Sequence, residues 1–311
     1  MWKIYLLFKS IQFFIIFYYS KMISRLEKEY IRGCRIIARM GFVTLFGAQT
    51  LPHLFPNRFF HSSKSFIQEE VKDKHSSLLQ ETCQKMGIDS ERVKLRYVSG
   101  FSTVSAGCFY FYGNAIIGLS RTCNISNESE VQKLILFNNR PIDSKICADL
   151  FKTISLEDQE LKFLLGHELA HIKNQHFSAF VLHSSGLLYT FYKLGFFFSS
   201  CLKNLSFFHR VFINLLVWSL GVFIYKTTHK YLSYYFEFEA DKISSHLGKE
   251  YCDGGISYSK KRLQMNLILR KLNGLEGDKL YTDIGDTIHD ITHPKRSERL
   301  KKMEIIRDEL Y

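Results

Sequence analysis

Residues 167–171 read His-Glu-Leu-Ala-His, and this H-E-x-x-H stretch lies inside an apparent helix from Leu156 to Gln175. Four residues are a little more than one helical turn, so both imidazoles leave the same face and can grip one metal ion, with Glu168 beside them. Chance alone yields roughly 0.03 such matches in a chain of this length and histidine content. Ser155 followed by Asp158 reads as an N-cap with a capping-box acid, and Leu161, Leu164, Leu165, Leu169 and Ile172 give the helix apolar positions to pack. The competing reading is an ordinary buried helix with two structural histidines.

A zinc ion needs a third protein ligand. Five residues after His171, His176 points away from the pair, so it reads as a solvated helix-end residue. The better candidates are Glu237 and Asp241, which share a helical face at i and i+4. One carboxylate can ligate the metal while the other accepts the spare ring N–H of a ligating histidine. Glu239 points elsewhere and reads as surface.

Two apolar runs, Phe177 to Leu202 and Leu205 to Tyr225, separate these blocks. As helices they would be about 39 and 32 Å long, against a hydrocarbon core of about 30 Å. Joined by Lys203-Asn204, they make a hairpin that returns the chain to the side it left, as the meeting of His171 and Glu237 at one metal requires. The alternative is a long buried hairpin in a soluble protein, since Lys193 and other polar groups interrupt the runs.

His167-Glu168-x-x-His171, then Glu237-x-x-Ala240-Asp241, then His293-Pro294 with Arg299-Leu300, resembles the membrane-associated zinc endopeptidases that include the CAAX prenyl protease, bacterial HtpX and the mitochondrial inner-membrane stress protease. The resemblance covers roughly residues 90 to 305. It implies zinc held by His167, His171 and Glu237, with Glu168 as general base and Asp241 as the acid behind the ligands. It places His293 and Arg299 near the substrate cleft, where they join Glu168 as catalytic candidates.

The formal charge is +12, from 42 Lys+Arg against 30 Asp+Glu. The basic residues are scattered and no nucleic-acid motif is present, so an anionic membrane surface is the favoured partner and nucleic acid is not. Seven cysteines form no C-x-x-C pair and leave an odd one over, which argues against a disulfide framework. Residues 1–20 fit neither a cleaved signal nor a clean span, and the basic stretch after them suggests a targeting segment or an amphipathic anchor. Gly41 to Leu54 is too short and interrupted for a span.

Ser62 to Lys74 reads as a linker, Gln68 to Met86 as a helix and Val93 to Val98 as a strand. Phe109–Tyr112 and Ala115–Leu119, joined by Gly113-Asn114, read as a β-hairpin. The resemblance implies an edge strand that receives an extended peptide, which this hairpin would supply, the alternative being a purely structural hairpin. Asn124 to Asp149 reads as a polar insertion or lid, with weak N-x-S sequons at Asn124, Asn127 and, further on, Asn204. Tyr231 to Leu247 is a second metal helix ended by Gly248, and Tyr258 to Leu272 another helix. Asp278 to Asp290 reads as irregular, and His293-Pro294 opens a basic terminal helix.

The expected fold is therefore α+β, mainly α: a zincin-like metallopeptidase domain with a small β-sheet and an inserted transmembrane helical hairpin. Residues 1–65 form the targeting or anchor region, 66–305 the peptidase domain with the hairpin at 177–226, and 306–311 a tail. The expected function is zinc-dependent hydrolysis of peptide bonds in membrane or membrane-delivered proteins, in protein quality control. Its partners would be a protein or peptide substrate and membrane lipid. The alternative is a catalytically silent membrane scaffold or chaperone-like protein of the same fold.

Overall fold

The computed structural model describes residues 2–58, 66–67, 69–109, 113–134, 136–137, 140–141 and 143–311. The chain is mainly helical with a small sheet, and it divides into two units, Gln49–Phe180 with His229–Tyr311 and Met1–Ala48 with Val181–Thr228.

The first unit is built on a four-stranded sheet of β1 (Phe66–Ile67), β2 (Val93–Val98), β3 (Val104–Cys108) and β4 (Asn114–Ser120), in the order β1-β2-β4-β3. β2 runs parallel to β4, while β3 pairs antiparallel with it and forms one edge. The hairpin expected here exists, but its first strand is Val104–Cys108; of the expected Phe109–Tyr112, residues 110–112 lie outside the described residues. Gly107, at φ +124°, sits where a Cβ would meet Ala115 Cα at 2.4 Å, so only glycine fits the tight end of this pair.

Against the sheet pack α2 (Asp73–Met86) and α5 (Asp158–Lys173). The expected apolar positions of the motif helix, Leu161, Leu164, Leu165, Leu169 and Ile172, are all buried, each contributing about 1.5–3 kcal/mol from apolar burial. The start of α5 differs from expectation. Ser155 ends the preceding helix, and the capping box is made by Glu157 and Glu160, whose carboxylate accepts from Glu157 N at 2.8 Å. Glu160 is buried and also takes Lys261 Nζ at 2.8 Å and Ser257 Oγ at 2.6 Å.

The expected polar lid contains two helices among the described residues. α3 (Glu128–Leu134) and α4 (Ser144–Ile154), with the two-residue strands β5 (Leu136–Phe137) and β6 (Arg140–Pro141) between them, bring Val131, Cys147, Leu150 and Ile154 onto Met265 in a small core. Met265 lies on α8 (Lys249–Asn273), which ends before Gly274 close to the expected Leu272 but starts directly after Gly248, well before the expected Tyr258. α9 (Leu275–Leu280) and an irregular stretch lead to α10 (Arg296–Leu310), whose Met303 packs on Phe163 and Cys252. The linker expected at Ser62 to Lys74 contains β1, and the helix after it starts only at Asp73.

The second unit holds most of α1 (Trp2–Leu54), with residues 181–201 of α6 (His176–Cys201) and 207–228 of α7 (Phe207–Ser245). Gly41 to Leu54, read as too short for a span, forms the end of α1, which runs on past Gln49 and Pro52 to Leu54. α7 unites the second apolar run and the expected metal helix Tyr231–Leu247 in one helix. Gly221 lets Phe191 of α6 lie on the α7 backbone, and Asn214 Nδ2 donates to Ser199 Oγ at 2.7 Å across the hairpin. Among the described residues α7 alone is long and apolar enough to cross a membrane. α6 falls short of the expected equivalence because His183, Lys193 and several serines dilute its apolar run.

Candidate metal centre

α5 and α7 bring three metal-type donors together. His167, His171 and Glu237 each offer an atom within 4.8 Å of the others. The two Nε2 atoms lie 3.2 Å apart, and Glu237 carboxylate oxygens lie 3.6 Å from His167 Nε2 and 3.5 Å from His171 Nε2. The helices can approach this closely because α5 carries Gly166, where a Cβ would meet Ser244 Oγ of α7 at 2.5 Å. Ser244 Oγ donates to Phe163 O at 2.8 Å and ties the same crossing.

The surroundings fix each ring. His167 Nδ1 lies 3.0 Å from Asp241 Oδ1, and its Nε2 faces Glu237. His171 Nδ1 lies 2.8 Å from His176 Nδ1, and His176 Nε2 lies 3.2 Å from Glu239 Oε2. With a carboxylate at its Nε2, a neutral His176 carries its proton there and accepts from His171 Nδ1–H. His171 Nε2 is left bare, towards the same point as His167 Nε2.

His176 was expected in solvent, and Glu239 away from the site. His176 is instead 3% exposed and stacked on Phe236 at 4.1 Å. The helix breaks at Gln175, which takes φ 53°, and the new helix turns His176 back onto His171. Burial, then the neighbouring His171 and His167, push the His176 imidazole down to about 3.

Arg299 of α10 supplies the counter-charge. It is 3% exposed, donates from Nε to Asp241 Oδ2 at 2.6 Å and from NH2 to Asp241 Oδ1 at 2.5 Å, and reaches Glu237 Oε2 from NH1 at 2.7 Å. Burial alone would raise both acids. The guanidinium overrides it, holding Asp241 at about 2 and Glu237 well below the ordinary carboxylate range. Burial likewise pulls His171 down, but Glu237 outweighs it and holds the ring above its ordinary value. The carboxylate thus favours positive charge at the point where the two imidazoles converge, and a divalent cation fits this donor set.

The expected site residues meet in one place. Glu168 accepts from Thr103 Oγ1 at 2.8 Å, a partner with no sequence signal. His293 is half exposed, with Nδ1 3.0 Å from Asp290 Oδ2 and Nε2 3.8 Å from Glu237 Oε1. A cavity of about 700 Å³ is lined by His167, Glu168, His171, Glu237, His293 and Arg299. His53, at the end of α1, borders it; Gly107 N donates to its Nδ1 at 3.3 Å and its ring stacks on Phe177 at 4.0 Å.

Comparison with known proteins corrects the family reading. The family model described as "Transmembrane protein 177" matches residues 130–311. Human Transmembrane protein 177 is 24% identical over 272 residues, covering 83% of this chain and 85% of the human protein. The Xenopus laevis protein of the same name is 25% identical over 265 residues, 78% of this chain and 83% of the relative. The mouse protein is 24% identical over 253 residues, 78% and 81% of the two chains.

The resemblance to the CAAX prenyl protease, HtpX and the mitochondrial stress protease is thereby overturned. The expected identity as an enzyme, a zinc metalloendopeptidase in protein quality control, falls with it. That resemblance rested on ten positions in three short blocks, whereas the family match runs through the C-terminal half, and the relatives' name states a membrane location and no reaction. This chain belongs to the Transmembrane protein 177 family.

Proposed function

We propose that this chain is a non-catalytic integral membrane protein, a scaffold or chaperone-like molecule, in which one zinc ion held by His167, His171 and Glu237 is a structural element. The single observation that carries this reading is the double tether at Glu237: it faces both imidazoles and also takes Arg299, so α5, α7 and α10 converge on one carboxylate. A cation there would add a bond between α5 and α7, whose ligands lie far apart in sequence, and such a link constrains the fold. Structural zinc sites are closed sets of four, and His293, whose Nε2 lies 3.8 Å from Glu237 Oε1 outside the three-residue donor set, would have to swing inward to supply the fourth ligand. The zincin-like arrangement expected from the motif reduces on this reading to a metal-holding helix pair beside a small sheet.

The membrane part of the proposal is that α6 and α7 cross as a hairpin, with residues 202–206 as its turn. In support, α7 has the length and apolarity to cross, and Leu182, Phe208 and Phe223 point outward at 73%, 73% and 67% exposure. Exposed aromatic and aliphatic side chains on this scale belong against lipid. Membrane lipid and a client protein are then the partners, and nucleic acid is not.

The test is zinc content together with casein incubation, on detergent-purified wild type, His167→Ala and Glu168→Gln. We expect about one zinc per chain in wild type, loss of zinc in His167→Ala, and intact casein throughout. Absence of metal after zinc reconstitution would overturn the structural centre. Casein cleavage that Glu168→Gln abolishes would overturn the non-catalytic reading.

A further inference from the structure

The second unit contains a cavity that neither the family nor the metal centre accounts for. It measures about 410 Å³ and lies among α1, α6 and α7, walled by Tyr30, Ile37, Leu188, Phe196, Leu215 and Trp218. The walls are almost wholly apolar, and Gly41 and Gly195 keep them open. From Tyr30 to Gly41 the slot follows α1 for about 16 Å of helix rise. An apolar slot of this length accepts an unbranched acyl chain.

A basic stripe runs along a different face of α1 and meets the slot wall at Arg35. Lys21, Arg25, Lys28, Arg32, Arg35 and Arg39 recur at intervals of four and three residues, which puts them on one face of α1. Lys28, Arg32, Arg35 and Arg39 are exposed, and none forms an ion pair with an acid among the described residues. Arg35 Cζ sits 5.3 Å from the ring centre of Phe196, itself a wall of the slot. Tyr30 meets Phe207 at 5.6 Å, edge to face, so the stripe lies alongside the turn end of the α6–α7 hairpin. If the hairpin spans, that end is a membrane interface, where long basic side chains reach the headgroup layer.

We infer that this slot binds one anionic phospholipid, with an acyl chain between α1, α6 and α7, the phosphate met at the rim by Arg35, and Arg32 and Arg39 adding positive potential from the adjoining face of α1. The inference rests on the membrane reading above and names a lipid class for it. Charge selects the headgroup: a zwitterionic lipid places a cation beside the guanidiniums, whereas a net anion answers the unpaired stripe. The apolar walls exclude a free phosphate as a sufficient ligand.

Trp218 in the wall offers the readout. The full chain carrying Trp2→Phe, which leaves Trp218 as the single tryptophan, is reconstituted into phosphatidylcholine vesicles. A small fraction of the lipid is chain-brominated, either phosphatidylglycerol or phosphatidylcholine. Brominated phosphatidylglycerol is expected to quench Trp218 several-fold more strongly at equal mole fraction. Arg35→Gln should lower that selectivity on the order of fivefold, and Arg32→Gln with Arg39→Gln further. Gly41→Leu, at a position where a Cβ meets nothing within 4 Å, fills the slot and should reduce quenching by both lipids while leaving the chain folded.

Equal quenching by the two lipids, unchanged in the arginine variants, would overturn the site and leave only boundary lipid. Absence of quenching by either, with Trp218 crosslinking to a second polypeptide, would also overturn it and assign the slot to a helix. Recovery of the chain in the aqueous phase without detergent would instead bring down the membrane reading itself, and dissipates any lipid selectivity with it.

Discussion

The two units handle polarity in opposite ways. In the sheet-containing unit apolar side chains such as Phe163, Leu165 and Tyr97 are interior, and buried charge is matched: Arg299 answers Glu237 and Asp241, and Lys261 answers Glu160. In the helical unit Leu182, Phe208 and Phe223 face outward, while Ser184 and Asn214 are buried between helices. The first pattern is what water imposes and the second what lipid imposes, because hydrocarbon offers no advantage in hiding a phenyl ring and a large one in hiding an amide. One sequence therefore carries two solvent codes, and α7 uses both along its length.

The contrast is broken most directly by removing the buried cation. Arg299→Met strands two carboxylates, and the expected cost is about 3–5 kcal/mol, read as a lower melting temperature and lost hydrogen-exchange protection in the sheet-containing unit. Adding Glu237→Gln and Asp241→Asn to that variant should recover a substantial part of the loss. Failure of Arg299→Met to destabilise would mean that the carboxylates find water or another cation.

Phenylalanine tests both codes with one chemistry. Phe163→Ala, under α8 and α10, should cost about 3–5 kcal/mol by opening a cavity. Phe223→Ala, on the outward face of α7, should stay within about 0.5 kcal/mol in lipid. Comparable losses at the two positions would show that the α7 face packs on protein, and the inside-out description would fail.

The metal-type centre was legible as a set because period and spacing are local properties: His167 with His171, and Glu237 with Asp241, follow from helix geometry. His176 was not, since its return depends on a left-handed Gln175, and neither glycine nor proline marks that break. Arg299 was marked only by the resemblance, as a cleft residue, and nothing local in its polar helix named the buried acids that it pairs with. The strand Val93–Val98 stood out by composition; β3, reading Val-Ser-Ala-Gly-Cys, did not, and the aromatic run after it took the assignment. The family was misread because a motif reports the local chemistry a helix pair can support, and several unrelated demands converge on the same few residues.

A smaller effect sharpens the metal proposal. Asp241 lies behind the ligands, within 3.0 Å of His167 Nδ1. Asp241→Asn keeps the shape but removes the charge that orients the ring, and zinc affinity should fall about 10–100-fold by competition with a chromogenic chelator. An unchanged affinity would place the metal elsewhere, or show that His167 is oriented by packing alone.

A weaker effect than that on zinc affinity is expected on the wet surface of the sheet-containing unit. Glu250 accepts from Lys162 at 2.9 Å and Lys85 at 3.0 Å, and Lys162 also reaches Glu81 at 2.8 Å, which links α2, α5 and α8. The Lys162 and Lys85 hydrogen bonds, in that order, hold the Glu250 carboxyl below its ordinary value. A carboxylate with a depressed folded pKa stabilises above its unfolded value of about 4.3 and loses that contribution as the pH falls through the folded one. Because Glu250 is 38% exposed, water screens the pair, and Glu250→Gln should cost under about 1 kcal/mol at pH 7. Melting curves of the two proteins should stay parallel from pH 7 to about 5 and converge below about 4. A gap that persists at pH 3 would assign the loss to side-chain packing, and the network would then count with the interior rather than with the solvated surface.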